Sequence, residues 1–229
     1  ILRRFLQERS ILARLDHPGI VRVFDGGMSP DGRPWYAMAC VEGTPLIAHA
    51  AGQGLDLRQR IALLARVADA VAYAHARLVV HRDLKPGNIL VDGQGQPHLL
   101  DFGIAKVLED TGEGTVTGSQ VRVLSPAYAA PEQIRGQPVG TATDVYALGV
   151  IAHELLTGAL PHRRSSRDPS VLAGELGQDT TFARASQAIG HGEVRSLERA
   201  WGAGVDARRL APLVAGDLDL ILATALRPE

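Results

Sequence analysis

Apolar positions recur at helical spacing in four stretches of the chain, where residues three and four apart share a helix face. The longest stretch begins at a capping residue, Asp56, and predicts an amphipathic helix. A second, more uniformly apolar stretch begins near Thr141 and ends at Gly158, a residue type that commonly terminates helices. The predicted helices cover residues 3–15, 56–78, 141–158 and 216–226.

Short apolar runs bounded by turn residues predict strands. Two such runs flank the turn SPDGRP, and two more flank the turn GQGQ. Residues 43–54 predict a short helix with loops, whereas residues 163–215 give only weak signals. The predicted strands cover residues 20–27, 34–41, 88–92 and 97–101. This order predicts an α+β fold, in which a small strand-containing lobe joins a larger helical lobe.

Composition narrows the class of protein. The 229 residues are 45% hydrophobic with a formal net charge of −1, so nothing in the charge favours nucleic acid and we expect no such partner. One cysteine, Cys40, excludes an internal disulfide and suits the cytoplasm. The chain opens without Met, directly in a helical pattern. We therefore expect a fragment of a longer protein. This expectation leaves open whether the longer protein has a membrane anchor.

The stretch VVHRDLKPGNIL, residues 79–90 and here called the polar loop, concentrates polar groups between apolar runs. Phosphoryl transfer needs a base to orient a hydroxyl, cations on the phosphates and oxygen ligands for Mg²⁺. Asp83 suits the base, Lys85 the cation, and Asn88 with Asp101 the metal ligands. Lysine occurs elsewhere only at Lys106, so Lys85 is not one solubilising charge among many.

The polar loop and its surroundings resemble the eukaryotic-type serine/threonine protein kinases, most closely their bacterial branch. HRDLKPGN resembles the catalytic loop of that family, DFG at Asp101 its magnesium motif, and APE its peptide-loop motif. FLQERSILARLDHPGIVRVFDGG resembles the αC helix and following strand, YAMACVEG the hinge, and TATDVYALGV the αF helix. Each motif alone is weak, whereas all of them in order form a specific signal.

The resemblance implies a two-lobed kinase that transfers the γ-phosphoryl group of ATP to Ser or Thr hydroxyls of protein substrates in bacterial signalling, with Mg²⁺ as cofactor. It implies a partial small lobe over residues 1–41 and a large lobe over residues 42–229. The resemblance also assigns roles to individual residues. We interpret His81 as a packed structural residue rather than a base. The implied nucleotide-binding residues are Glu8, Met38, Cys40, Val41, Lys85, Asn88, Leu90 and Asp101. The implied stack between the lobes consists of Leu12, Val23, His81 and Phe102. The implied structural anchors are Glu132 and Asp144.

Regulation by phosphorylation follows from the same resemblance. Arg82 precedes the base, where a guanidinium can clamp a phosphate on an activation loop. Residues 107–123 are rich in Gly, Thr and Ser, and we interpret them as that loop, although its composition alone explains the hydroxyls equally well. Homodimers for autophosphorylation are one implied partner. The implied regulatory residues are Arg82, Thr115, Thr117, Ser119 and Ser125, with Lys106 as a second phosphate partner.

Two family features are missing: the Gly-rich loop over the phosphates, and the strand lysine that pairs with Glu8. No lysine precedes Lys85, so we expect a truncated kinase that binds ATP poorly. A non-catalytic kinase-like binding module is the alternative, in which Glu8 is an ordinary surface charge. A small-molecule phosphotransferase is a weaker alternative, because SPAY and APE are both present.

Overall fold

The computed structural model describes residues 14–31, 34–102, 126–162, 182–191 and 194–227. Several residues singled out from the sequence lie outside these ranges, and most of the helix predicted over residues 3–15 does as well. The site residues outside the described part are Glu8, Leu12, Lys106, Thr115, Thr117, Ser119 and Ser125.

Two small antiparallel sheets occupy the first half of the chain. Strands β1 (Val23–Met28) and β2 (Pro34–Met38) form a hairpin. Strands β3 (Gly43–Pro45), β4 (Ile89–Asp92) and β5 (Pro97–Leu99) form the second sheet in that order. The four predicted strands are confirmed in position, with shorter bounds than the sequence suggested.

Strand β3 corrects the prediction that residues 43–54 hold only a short helix with loops. Gly43 approaches β4 so closely that a Cβ there would lie 2.8 Å from the Val91 carbonyl oxygen. A strand of three residues is too short to show a period of two, so its pairing could not be predicted. The helix itself, α1, follows at once at Leu46–Gly52.

Helices make up most of the remaining described chain. The predicted cap of α2 is confirmed, because Asp56 accepts a hydrogen bond from the Gln59 backbone N–H at 2.8 Å and the Gln59 side chain returns one at 2.9 Å. Within the weakly patterned residues 163–215, the described part holds three helices that the sequence did not predict. After α1, the helices are α2 (Leu57–His75), α3 (Pro131–Ile134), α4 (Thr141–Thr157), α5 (Ala185–His191), α6 (Val194–Trp201), α7 (Ala207–Val214) and α8 (Asp217–Ala225), with a 3₁₀ turn at Pro86–Asn88.

The main hydrophobic core lies between α2, α4 and the second sheet, and a second apolar cluster joins α4 to helices α5 to α8. The first hairpin connects to the second sheet through a backbone bridge between Ile20 and Leu99. The polar loop therefore follows α2 and ends in the first two residues of β4. These features confirm the predicted α+β fold. Within the described residues, no helix is long and apolar enough to cross a membrane.

Candidate active site

Asp144, in the first turn of α4, holds the start of the polar loop through its carboxylate. The side chain is only 1% exposed. One oxygen accepts from the His81 backbone N–H at 2.7 Å and contacts the His75 Nε2 at 2.8 Å, and the other accepts from the Arg82 N–H at 2.9 Å. These hydrogen bonds offset the cost of burying a charge, which the helix N-terminus also favours.

The backbone at Arg82 adopts φ of +67°, a conformation that a non-glycine residue holds only when its surroundings fix it. The Asp144 carboxylate binds its N–H, and the Gln133 side chain donates to its carbonyl oxygen at 2.8 Å. Gln133 is itself oriented by the Ala130 N–H, which donates to its amide oxygen at 3.1 Å. Helix α3 therefore supports the polar loop from a second side.

Asp83, Lys85 and Asn88 converge within the polar loop. The Lys85 ammonium lies 2.9 Å from the Asp83 Oδ2 atom. The Asn88 Nδ2 atom donates to the Asp83 carbonyl oxygen at 2.9 Å and contacts its Oδ2 atom at 3.3 Å. Because the amide nitrogen faces Asp83, the amide oxygen of Asn88 is directed away from it. The arrangement presents one carboxylate, one ammonium and one amide oxygen at the same place.

Asp101 is brought beside this group by the hairpin of β4 and β5. The Leu100 N–H donates to the Asn88 carbonyl oxygen at 2.9 Å, so Asp101 follows directly on a residue bound to the polar loop. Asp101 is exposed and has φ of +48°, whereas the next residue, Phe102, is buried. An exposed carboxylate and an amide oxygen that is directed away from Asp83 are both oxygen donors of the type that suits a hard cation such as Mg²⁺.

His81 is a packed residue, and its hydrogen bonds define its tautomer. Its Nε2 atom lies 2.8 Å from the Leu100 carbonyl oxygen and therefore carries the proton, whereas Nδ1 accepts from the Asp83 N–H at 3.4 Å. Burial lowers the pKa of His81 below its ordinary value, although Asp144 opposes the shift. The ring lies 4.6 Å from the Phe102 ring between centroids. A neutral, enclosed imidazole orients the loop backbone rather than serving as a base.

Four of the residues implied for nucleotide binding lie in strands β2 and β4 or in the connection from β2 to β3. Met38 ends β2, and Cys40 and Val41 follow in the connection to β3. Cys40 is exposed and has a free thiol. Leu90 lies in β4 opposite Pro45 of β3. The connection that carries Cys40 and Val41 therefore leads directly into the strand that pairs with Leu90. Met38, Val41 and Leu90 are each half-buried.

Glu132 lies away from the loop carboxylates, in α3. Its carboxylate accepts a hydrogen bond from the Thr143 hydroxyl at 2.6 Å, which ties α3 to the first turn of α4. Arg227, at the end of the described chain, lines the same surface groove as Glu132. This contact supports the segment that carries Gln133.

The family model of the protein kinase domain matches residues 2–189 of this chain. The chain belongs to the protein kinase domain family. This confirms the resemblance that the motifs predicted. The interval covers the polar loop, Asp101, α3 and α4.

Curated relatives in this family are bacterial serine/threonine-protein kinases. The DNA damage-responsive kinase RqkA of Deinococcus radiodurans is 39% identical over 175 residues, covering 74% of this chain and 25% of the relative. PrkC of Bacillus subtilis is 38% identical over 161 residues, covering 70% and 24%. Pkn1 of Myxococcus xanthus is 37% identical over 207 residues, covering 87% and 29%. The chain thus spans less than a third of each relative's length.

Two supporting residues of this kinase-family site were missed in the sequence. No motif singles out His75, yet its Nε2 atom contacts the buried Asp144 carboxylate at 2.8 Å. Gln133 fixes the Arg82 carbonyl through its side chain. A signal for His75 existed, since a carboxylate buried in an apolar helix needs several donors. Gln133 gave no signal, because its partner is a backbone atom that any residue type carries.

Proposed function

We propose that this chain is the catalytic part of a serine/threonine protein kinase, which transfers the γ-phosphoryl group of ATP to Ser or Thr hydroxyls of proteins. The observation that carries the proposal is the convergence of Asp83, Lys85 and Asn88 on a loop whose backbone Asp144 anchors. Membership of the protein kinase family and the names of the relatives support it.

Asp83 acts as the base that orients the acceptor hydroxyl and takes up its proton. Its Oδ2 atom contacts Lys85 and Asn88, so the carboxylate is held in one orientation by two donors. The Lys85 ammonium, a compact point charge, offsets negative charge on the transferred phosphoryl group. Both roles require fixed positions, because this reaction depends chiefly on positioning and electrostatic stabilisation.

Asn88 and Asp101 would hold Mg²⁺ through the amide oxygen and the carboxylate. The orientation of the Asn88 amide supports this proposal, since its nitrogen is used by Asp83 and its oxygen is left to face another ligand. When bound, Mg²⁺ neutralises charge on the phosphates and fixes their geometry. The adenine would contact Leu90, Met38, Cys40 and Val41. Glu8 would act on the phosphate side, where the strand lysine of the family pairs with it.

The test is phosphotransfer from radiolabelled ATP to a generic protein substrate, using the protein expressed from its complete reading frame. Asp83→Asn should reduce the rate by about 10²–10⁴-fold, because it removes the base and retains the shape of the side chain. Asp92→Asn is the matched control. It makes the same exchange at a carboxylate that pairs with His98 at 2.8 Å on the neighbouring hairpin.

Equal activity of Asp83→Asn and the wild type would refute the assignment of the base. Wild-type protein that binds Mg·ATP in calorimetry without transferring phosphate would instead favour a non-catalytic binding module. Asp101→Ala should then remove the magnesium dependence of ATP binding, which separates a metal-assisted site from plain nucleotide binding.

Regulation by phosphorylation is a further part of the proposal. Thr115, Thr117 and Ser119 are the proposed acceptors, and Arg82 is the proposed phosphate ligand. Mass spectrometry after incubation with Mg·ATP should find phosphate at one of these hydroxyls. Replacing all three with alanine should lower the activity, whereas phosphate found only outside residues 107–123 would contradict this part.

A further inference from the structure

Arg60, in the first turn of α2, is a fully buried cation that the proposed chemistry does not use. The residue is 0% exposed. Its guanidinium carbon lies 3.9 Å from the centroid of the Trp201 ring, and the Trp201 indole N–H donates to the Leu156 carbonyl oxygen at 2.8 Å. No carboxylate in the described part of the chain lies within ion-pair distance of it.

The guanidinium is instead bound by backbone carbonyl oxygens. Its Nε atom donates to Leu55 at 2.9 Å and its Nη1 atom to Leu155 at 2.8 Å. Its Nη2 atom donates to Ala200 at 2.6 Å and to Ala50 at 3.3 Å. Ala50, Leu155 and Ala200 lie in the last turns of α1, α4 and α6 respectively.

Helix C-termini supply the counter-charge that a carboxylate would otherwise provide. The last carbonyls of a helix lack partners within it and carry partial negative charge. Three such ends meet at Arg60, so several partial charges surround one full positive charge. Burial lowers the pKa of Arg60 to about 10, which leaves the group protonated at neutral pH.

We propose that Arg60 is a shared C-terminal cap, through which α1, α4 and α6 form one cooperative unit. When the guanidinium is removed, four carbonyl groups lose a donor at once, three of them at helix ends, which is a costly change in a buried site. The Ala50 carbonyl keeps the Leu55 backbone N–H as a partner at 3.0 Å. Since α1 follows β3 and β3 pairs with β4, the unit extends from the second sheet to α6. This inference does not depend on the proposed activity.

The first experiment measures thermal unfolding of three variants. Arg60→Met keeps much of the apolar stem and removes the charge and all donors, so the melting temperature should fall by about 10 °C. Arg60→Lys keeps the charge and loses the planar fork, so its melting temperature should lie between those of Arg60→Met and the wild type. Arg66→Met is the matched control, because Arg66 is exposed on the same helix and should change little.

Chemical rescue tests whether the cation itself is required. Arg60→Ala leaves a space of guanidinium shape with carbonyl oxygens around it, so millimolar methylguanidinium should restore part of the lost melting temperature. N-Methylurea has a similar shape without charge and should restore none. Equal rescue by both compounds would show that filling the space suffices and would overturn the proposal.

Hydrogen exchange tests cooperativity directly, first in the wild-type protein and then in a variant. Amides in the last turns of α1, α4 and α6 should open with one common free energy. In Arg60→Met they should exchange roughly a hundredfold faster together, while α7 and α8 change less. Separate opening energies for α1 and α6 in the wild type would contradict the shared cap.

Discussion

At the scale of single residues, Leu78 holds a backbone conformation that favours glycine. It follows α2 with φ of +60° and a side chain that is 92% exposed. The Val79 N–H donates to the Ala74 carbonyl and the Leu78 N–H to that of His75, which is the Schellman pattern that ends many helices. Packing of the leucine side chain does not compensate for the steric cost, about 1–2 kcal/mol, of this conformation.

We therefore expect Leu78→Gly to raise the free energy of unfolding by about 0.5–1 kcal/mol, after allowance for the greater freedom of glycine in the unfolded chain. Urea denaturation measures the change. Leu78→Ala is the control, because it removes the exposed side chain and keeps the Cβ atom. If the alanine variant gains as much stability as the glycine variant, relief of backbone strain is the wrong explanation.

Residue types in the polar loop predicted the proposed chemistry, and the family resemblance predicted Asp144 as a structural anchor, whereas the supporting roles of His75 and Gln133 were not predicted. Asp83, Lys85 and Asn88 are informative because a carboxylate, an ammonium and an amide at that spacing suit few other purposes. Arg60 gave no such signal, since its partners are carbonyl oxygens at three helix ends that only the folded chain brings together. Interactions with the backbone are invisible to residue type.

At the scale of elements, the backbone of α6 lies unusually close to the end of α4. Gly158 ends α4 with φ of +73°, and a Cβ atom there would lie 1.8 Å from the Ser196 carbonyl oxygen of α6. The glycine therefore serves both as a helix cap and as the point where another backbone approaches. No flexible side chain is available to move away.

Gly158→Ala should consequently lower the free energy of unfolding by about 3 kcal/mol or more, since it adds an overlap with backbone to an unfavourable φ. Chemical denaturation measures the loss. Gly54→Ala isolates the conformational part, because Gly54 has φ of +59° with no atom within 4 Å of the new Cβ. It should cost only about 1 kcal/mol, and equal losses in both variants would exclude the steric contact.

Element prediction succeeded where the local signal was strong. The sequence predicted α2, α4, α8 and the hairpin of β4 and β5, because each combines clear periodicity with a cap or turn. Strand β3 and helices α5 to α7 are short, at three, seven, eight and eight residues. Helices of this length depend on tertiary packing rather than on propensity, so a single sequence gives little warning of them.

At the scale of the whole molecule, two buried histidines link stability to pH. Burial lowers the pKa of His81 and of His153. For His153, backbone groups of Ala159 and Ala183 and, more weakly, the Asp219 carboxylate oppose the lowering of the pKa by burial. Both histidines are therefore neutral in the folded protein at pH 7, in surroundings that disfavour the imidazolium form.

The sign of the pH dependence follows from that direction. Each folded pKa lies below the unfolded value of about 6.5, so below that pH the unfolded chain binds protons that the folded chain does not. Stability should thus fall as the pH decreases from 7 to 5. Burial raises the pKa of Glu154, so its own contribution increases as the pH falls and partly masks the loss.

A variant of His153 separates its contribution from the rest. His153 Nδ1 lies 2.9 Å from the Ala159 carbonyl oxygen, and His153→Asn retains a short donor there while removing the titration. Between pH 7 and pH 5, this variant should lose about 1 kcal/mol less stability than the wild type, as expected for up to one proton. His191→Asn, at an exposed histidine on α5, should retain the wild-type dependence. An unchanged pH slope in His153→Asn would mean that His153 does not resist protonation in the folded state.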